Sequence, residues 1–191
     1  MNKKIEDSVI IPNLYLKSLP NFLKNLHIYG DFVCSYNRLT SLKGCPEIIN
    51  GNFYCSYNKL TSLDGSPEVI DRHFSCSYNK LISLEGCPKR VDGDFICAHN
   101  KLTSLDGLST AIGGNFSCSY NNLTSFKGCP EVVYGNFYCS YNNLTSLEYF
   151  PKRIEGSIFC FGNSVQFKDK QIRKICKAKG HIWTQNPHGD D

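Results

Sequence analysis

No stretch of this 191-residue chain approaches the ~18 apolar residues that a membrane span needs. Near its start the short run Val9 to Ile11 is stopped by Pro12, too little for the core of a secretory signal, so a soluble, non-secreted chain is expected. Cys-x-x-Cys pairs are missing, and cysteine and histidine keep no regular spacing, which leaves zinc binding and dithiol redox chemistry without their usual ligand pattern. The five histidines, His27, His73, His99, His181 and His188, fall outside any nucleophile or phosphate-binding motif. We therefore expect neither an enzyme nor a cofactor or metal. Eleven cysteines is an odd count at about 6% of the chain, below the >8–10% of disulfide scaffolds, so a reducing cytoplasm is the expected setting. Disorder is excluded by an aromatic content of 13% and a hydrophobic content of 41%.

What the sequence has in abundance is repetition. Phe32, Phe53, Phe74, Phe95, Phe116 and Phe137 recur every 21 residues, and Ile158 takes the next place. A cysteine follows two residues later each time, from Cys34 to Cys160, then an asparagine three further on, from Asn37 to Asn163. Leu39 and Leu42, with their copies, come next, then Gly44-Cys45-Pro46 as turn punctuation and Ile49 as a return to the core. Phe and Cys two apart project from the same side of an extended segment, which gives one short inward-packed strand per repeat. The asparagine amide is placed to hydrogen-bond the turn backbones of adjacent repeats, groups that a buried bend would orphan. No repeat can bury its apolar face alone, so the repeats must stack.

Phe53 to Leu60 fits most of the pattern L-x-L-x-x-N-x-L, with Phe53 and Cys55 in leucine places, Asn58 as the asparagine and Leu60 closing. The chain thus resembles short leucine-rich repeat proteins of 20–21 residues per repeat, of the kind found in bacterial effectors, bacteriophages and large DNA viruses. The resemblance covers about residues 14–165. It implies a right-handed leucine-rich-repeat-like solenoid with short parallel strands. One departure is Asn50 where a leucine belongs, which leaves a flatter, β-helix-like stack open. We expect one structural domain: a cap and irregular first coil over 1–31, including Leu14, Leu16, Leu19, Phe22, Leu23, Leu26 and Ile28, then the solenoid over 32–165. A C-terminal cap over 166–191 completes it, with a helix between Phe167 and Lys179 that uses Ile172, Ile175 and Cys176, stops at Gly180 and has Trp183 beside it.

Two columns are candidates for binding. Tyr36, Tyr57, Tyr78, Tyr120 and Tyr141, with His99 in the fourth place, form a stacked stripe on the solvent side. Between Phe and Cys lies the variable column Val33, Tyr54, Ser75, Ile96, Ser117, Tyr138 and Phe159, facing out of the sheet. Its variation within a constant frame, with Arg72-His73 replacing a neighbouring Gly-Asn, singles out Tyr54, His73, Ile96, His99, Tyr138 and Phe159 as recognition residues beside the tyrosines. Rigid aromatics on a preformed surface suit protein recognition. The resemblance implies a host protein as partner, a defence component masked sterically in the host cytoplasm. An exposed aromatic stripe equally suits self-association, and stacked tyrosines could be scaffold alone. The competing reading is nucleic-acid or nucleotide-anion binding by the row Arg38, Lys59, Lys80 and Lys101 together with Arg173, Lys174 and Lys177 of the basic C-terminal cap. The cysteine column reads as small apolar core filler.

Overall fold

The computed structural model describes residues 3–11, 13–108 and 111–186. The chain winds as a β-solenoid of about eight turns with the 21-residue period. Each regular coil contributes two strands of two residues. Among the described residues, one sheet joins, in spatial order, β2 (Val9–Ile10), β4 (Phe32–Val33), β6 (Phe53–Tyr54), β8 (Phe74–Ser75), β10 (Phe95–Ile96), β12 (Phe116–Ser117), β14 (Phe137–Tyr138), β16 (Ile158–Phe159) and β18 (Ile182–Trp183). The second side carries β1 (Lys3–Ile5), β3 (Leu26–Ile28), β5 (Ile48–Ile49), β7 (Val69–Ile70), β9 (Arg90–Val91) and β11 (Ala111–Ile112), then a further sheet of β13 (Val132–Val133), β15 (Arg153–Ile154) and β17 (Lys177–Ala178). All pairings are parallel, and Phe sits on Phe from coil to coil.

The seven strands expected from Phe32 to Ile158 are all present, and one end strand from each cap extends their sheet. The second row of strands is a feature beyond the one strand per repeat read from the sequence. Its inward residues, Ile49, Ile70, Val91, Ile112, Val133 and Ile154, do return to the core as expected.

The core is a set of ladders. Phe32, Phe53, Phe74, Phe95, Phe116 and Phe137 are fully buried, with successive ring centroids 5.2–5.9 Å apart. The strand cysteines from Cys34 to Cys160 and the leucines Leu39 to Leu144 fill the space beside them. No disulfide joins the cysteines, nine of which are buried, with Cys87 and Cys129 half-buried. The inward asparagines from Asn37 to Asn142 work as read from the sequence, whereas Asn163 donates to the carbonyls of Cys139, Cys160 and Phe161 but its buried Oδ1 accepts nothing among the described residues. The Asn58 amide donates to the carbonyls of Cys55 and Ser56 in its own coil and of Cys34 in the coil before, while its Oδ1 accepts the Leu39 N–H at 2.9 Å. The same set recurs at Asn79, Asn100, Asn121 and Asn142.

The caps depart from expectation in detail. Leu19, Leu23, Leu26 and Ile28 are buried in the first coil, but Leu14 and Phe22 are exposed. The helix α1 is shorter than predicted, Asp169–Ile175, with Gln171 Oε1 accepting the Lys168 N–H at its start. It buries Ile172, while Ile175 is 47% exposed. Helix continuation loses to pairing, because Lys177 and Ala178 align with Arg153 and Ile154 in the sheet, so Gly180 lies beyond the helix, between strands. Trp183 joins the opposite sheet and stacks over Phe159 at 6.3 Å.

Candidate functional site

The tyrosine column begins with a backbone bend. Tyr36, Tyr57, Tyr78, His99, Tyr120 and Tyr141 all have φ between 54° and 58°, and Gly162 continues the column at 65°. A left-handed residue other than glycine costs roughly 1–2 kcal/mol. The following asparagine holds each bend by its hydrogen bonds to the carbonyls just before it. This geometry turns the ring outward and brings it onto the ring of the next coil. Tyr36, Tyr57, Tyr78, His99, Tyr120 and Tyr141 form one continuous stack, with centroids 4.1–4.5 Å apart and planes within 8–19° of parallel. Stacking of this kind contributes about 0.5–1.5 kcal/mol per pair and offsets the backbone strain. At one end Phe161 meets Tyr141 edge-on at 5.4 Å. Tyr15 stands outside this column: the first coil is two residues longer, with Val9 opposite Phe32 and the Arg38 N–H donating to the Leu16 carbonyl, so the Tyr15 ring lies against the Arg38 guanidinium at 4.7 Å.

The stack decides what it can offer a ligand. Interior rings spend both faces on each other, so they present edges and hydroxyls to solvent. Desolvation, followed by the neighbouring phenols, pushes the Tyr57 and Tyr120 hydroxyls above their ordinary range, and desolvation holds His99 below its ordinary value. Tyr57, His99 and Tyr120 are therefore uncharged at neutral pH.

Beside it runs the variable column. Val33, Tyr54, Ser75, Ile96, Ser117, Tyr138 and Phe159 are half-buried on the outer face of the long sheet. Tyr138 and Phe159 stack at 4.7 Å, and Trp183 extends the aromatic patch past the last regular coil. Between this column and the ridge lies a shallow, mostly apolar groove of about 590 Å³ lined by Ile10, Ile11, Asn13, Val33, Ser35, Tyr36, Tyr54, Ser56 and Tyr57.

His73 belongs to a different arrangement. Its Nδ1 accepts the Asp94 N–H at 2.9 Å, the same service that Asp31, Asn52, Asp94, Asn115 and Asn136 provide to the next coil with side-chain oxygens. The structure thus gives His73 a scaffold task beside its exposure.

Arg38, Lys59, Lys80 and Lys101 are exposed in a row on the far side of the ridge. The basic cap is partly neutralised. Arg173 pairs with Asp169 at 2.6 Å and Lys179 with Glu155, whose carboxyl is held below its usual range chiefly by that lysine. Lys174 and Lys177 are exposed nearby. Burial raises the thiols of Cys34, Cys55, Cys76, Cys97, Cys118 and Cys139 far above their ordinary range, the opposite of what a reactive thiolate requires. Among the described residues no group of three or more His, Cys, Asp or Glu is arranged to hold a metal ion, and no helix is long and apolar enough to cross a membrane.

Sequence reasoning missed Trp183 as an extension of the variable column. It sits 24 residues after Phe159, out of register because α1 intervenes. No family model matches the chain, and no curated protein does.

Proposed function

We propose that this chain is a non-enzymatic binding protein that recognises another protein through the outer face of its long sheet and the tyrosine ridge. The observation that carries this reading is the unbroken stack from Tyr36 to Tyr141 bordering an apolar groove: a rigid, preformed strip of aromatic edges, hydroxyls and apolar floor. Such side chains lose little entropy on contact and dominate protein-binding hot spots. The resemblance to short leucine-rich repeats of phages and large DNA viruses extends the reading to a host protein, a defence component covered by the solenoid in the host cytoplasm.

The exposed lysine row favours a second reading, binding of nucleic acid. It is the weaker of the two, since sequence-tolerant nucleic-acid sites stack bases on free ring faces, and the rings inside this ridge have none to offer. The test is capture from nuclease-treated lysate of the source cells by the wild type and by Tyr57→Asp/Tyr78→Asp/Tyr120→Asp, the variant's fold being checked by circular dichroism. One protein retained by the wild type and lost by the folded variant supports protein recognition. Capture that disappears only on nuclease treatment supports the second reading.

A further inference from the structure

In three places on the surface, charges in consecutive coils neutralise each other. Glu68 meets Lys89 at 2.7 Å, Asp106 meets Lys127 at 3.2 Å and Glu131 meets Lys152 at 2.6 Å, each pair occupying one column. The column after the inward asparagines does the reverse: Arg38, Lys59, Lys80 and Lys101 stack one sign across four coils. Lys59, Lys80 and Lys101 belong to no ion pair among the described residues. Like charges ~4.8 Å apart destabilise a stacked sheet, so this row opposes the stability of the scaffold that carries it. An external anion relieves that repulsion.

Chain order sets the row directly across the ridge from the groove, with Ser35 before Tyr36 and Arg38 after it. Resting on the protein-recognition reading, we propose that this face takes an extended acidic segment of its partner, with carboxylates and apolar side chains in alternation. An extended chain sends alternate side chains to opposite sides, so one set meets the lysines while the other enters the groove at Val33, Tyr54 and Tyr57. Lengths agree as well. Three carboxylates on one side of a strand span about 14 Å, and so do four cations one coil apart.

The test is fluorescence anisotropy on the full chain with three labelled probes: the octapeptide Glu-Leu-Glu-Leu-Glu-Leu-Glu-Leu, its counterpart with lysine for glutamate, and a twelve-nucleotide oligothymidine. The wild type is expected to bind the acidic peptide at least about tenfold more tightly than either other probe. Lys59→Glu/Lys80→Glu/Lys101→Glu should lose that binding about tenfold or more and gain the basic peptide. Lys59→Gln/Lys80→Gln/Lys101→Gln should also lose it while melting at or above the wild-type temperature, which keeps the test intact if charge reversal impairs folding. Preference for the oligonucleotide, or acidic-peptide affinity unmoved by the glutamine variant, overturns the proposal. If no acidic peptide binds but the tyrosine variant still loses its captured protein, the acidic partner is wrong and protein recognition stands; if both fail, both fall.

Discussion

At the scale of single residues, the bends of this coil depend on side chains that replace missing backbone partners. Asn100 donates to the carbonyls of Cys97, Ala98 and Cys76 and accepts the Leu81 N–H at 3.0 Å. Asn100→Ala leaves the Leu81 N–H without its acceptor, while the Cys76, Cys97 and Ala98 carbonyls keep Asn79, Asn121 and the Tyr78 N–H as donors, and is expected to cost about 1–3 kcal/mol in denaturant unfolding. Tyr149 illustrates the opposite case. It occupies the column of Gly44, Gly65, Gly86, Gly107 and Gly128 and keeps their left-handed bend at φ 61° with its ring exposed, outside the tyrosine stack. Tyr149→Gly should therefore stabilise by roughly 1 kcal/mol, read as a raised Tm. In sequence this residue looks like one more aromatic, and only its place in the period marks it as a substituted turn glycine.

At the scale of the element, the strands are too short to be specified by themselves. Phe95→Ala in β10 removes a fully buried ring lying between Phe74 and Phe116, and should cost about 3–5 kcal/mol by cavity formation, with both neighbouring coils losing their packing. A variant melting like the wild type would disprove this. The strand at Phe95 was legible because phenylalanine and cysteine repeat at a spacing that only an extended inward face explains. The strand at Arg90–Val91 was not, since two residues carry no alternation to read and its outward member varies among Ile48, Val69, Arg90, Val132 and Arg153. Stacking, not local preference, makes it a strand. The cap helix shows the same competition: Ile172, Ile175 and Cys176 have helical spacing, yet the last coil claims Lys177–Ala178 for the sheet. Likewise the tyrosine column and its stacking could be read from sequence, but the left-handed bend that turns each ring outward could not, because no composition reveals a backbone φ.

At the scale of the whole molecule, the buried thiols tie stability to pH. Their native pKa values lie above the ordinary 9.0, and Cys176 is pushed up to about 11 by burial. The unfolded chain therefore releases thiol protons that the folded chain retains, so stability is fully present below pH 9 and is lost as pH rises above it. Each fully protected thiol contributes about 1.4 kcal/mol per pH unit. Melts in reductant should be insensitive to thiol ionisation between pH 6 and 8 and fall steeply above pH 9; a Tm unchanged at pH 10 would contradict the cysteine ladder. The coil-on-coil arrangement has a mechanical consequence too. Because every coil is held only by its neighbours, a solenoid pulled by its two ends in a force spectrometer should give way one coil at a time, releasing 21 residues per event. The force trace should then show a regular sawtooth with contour steps of about 70 Å, so that the repeat length written in the sequence can be read back with a ruler.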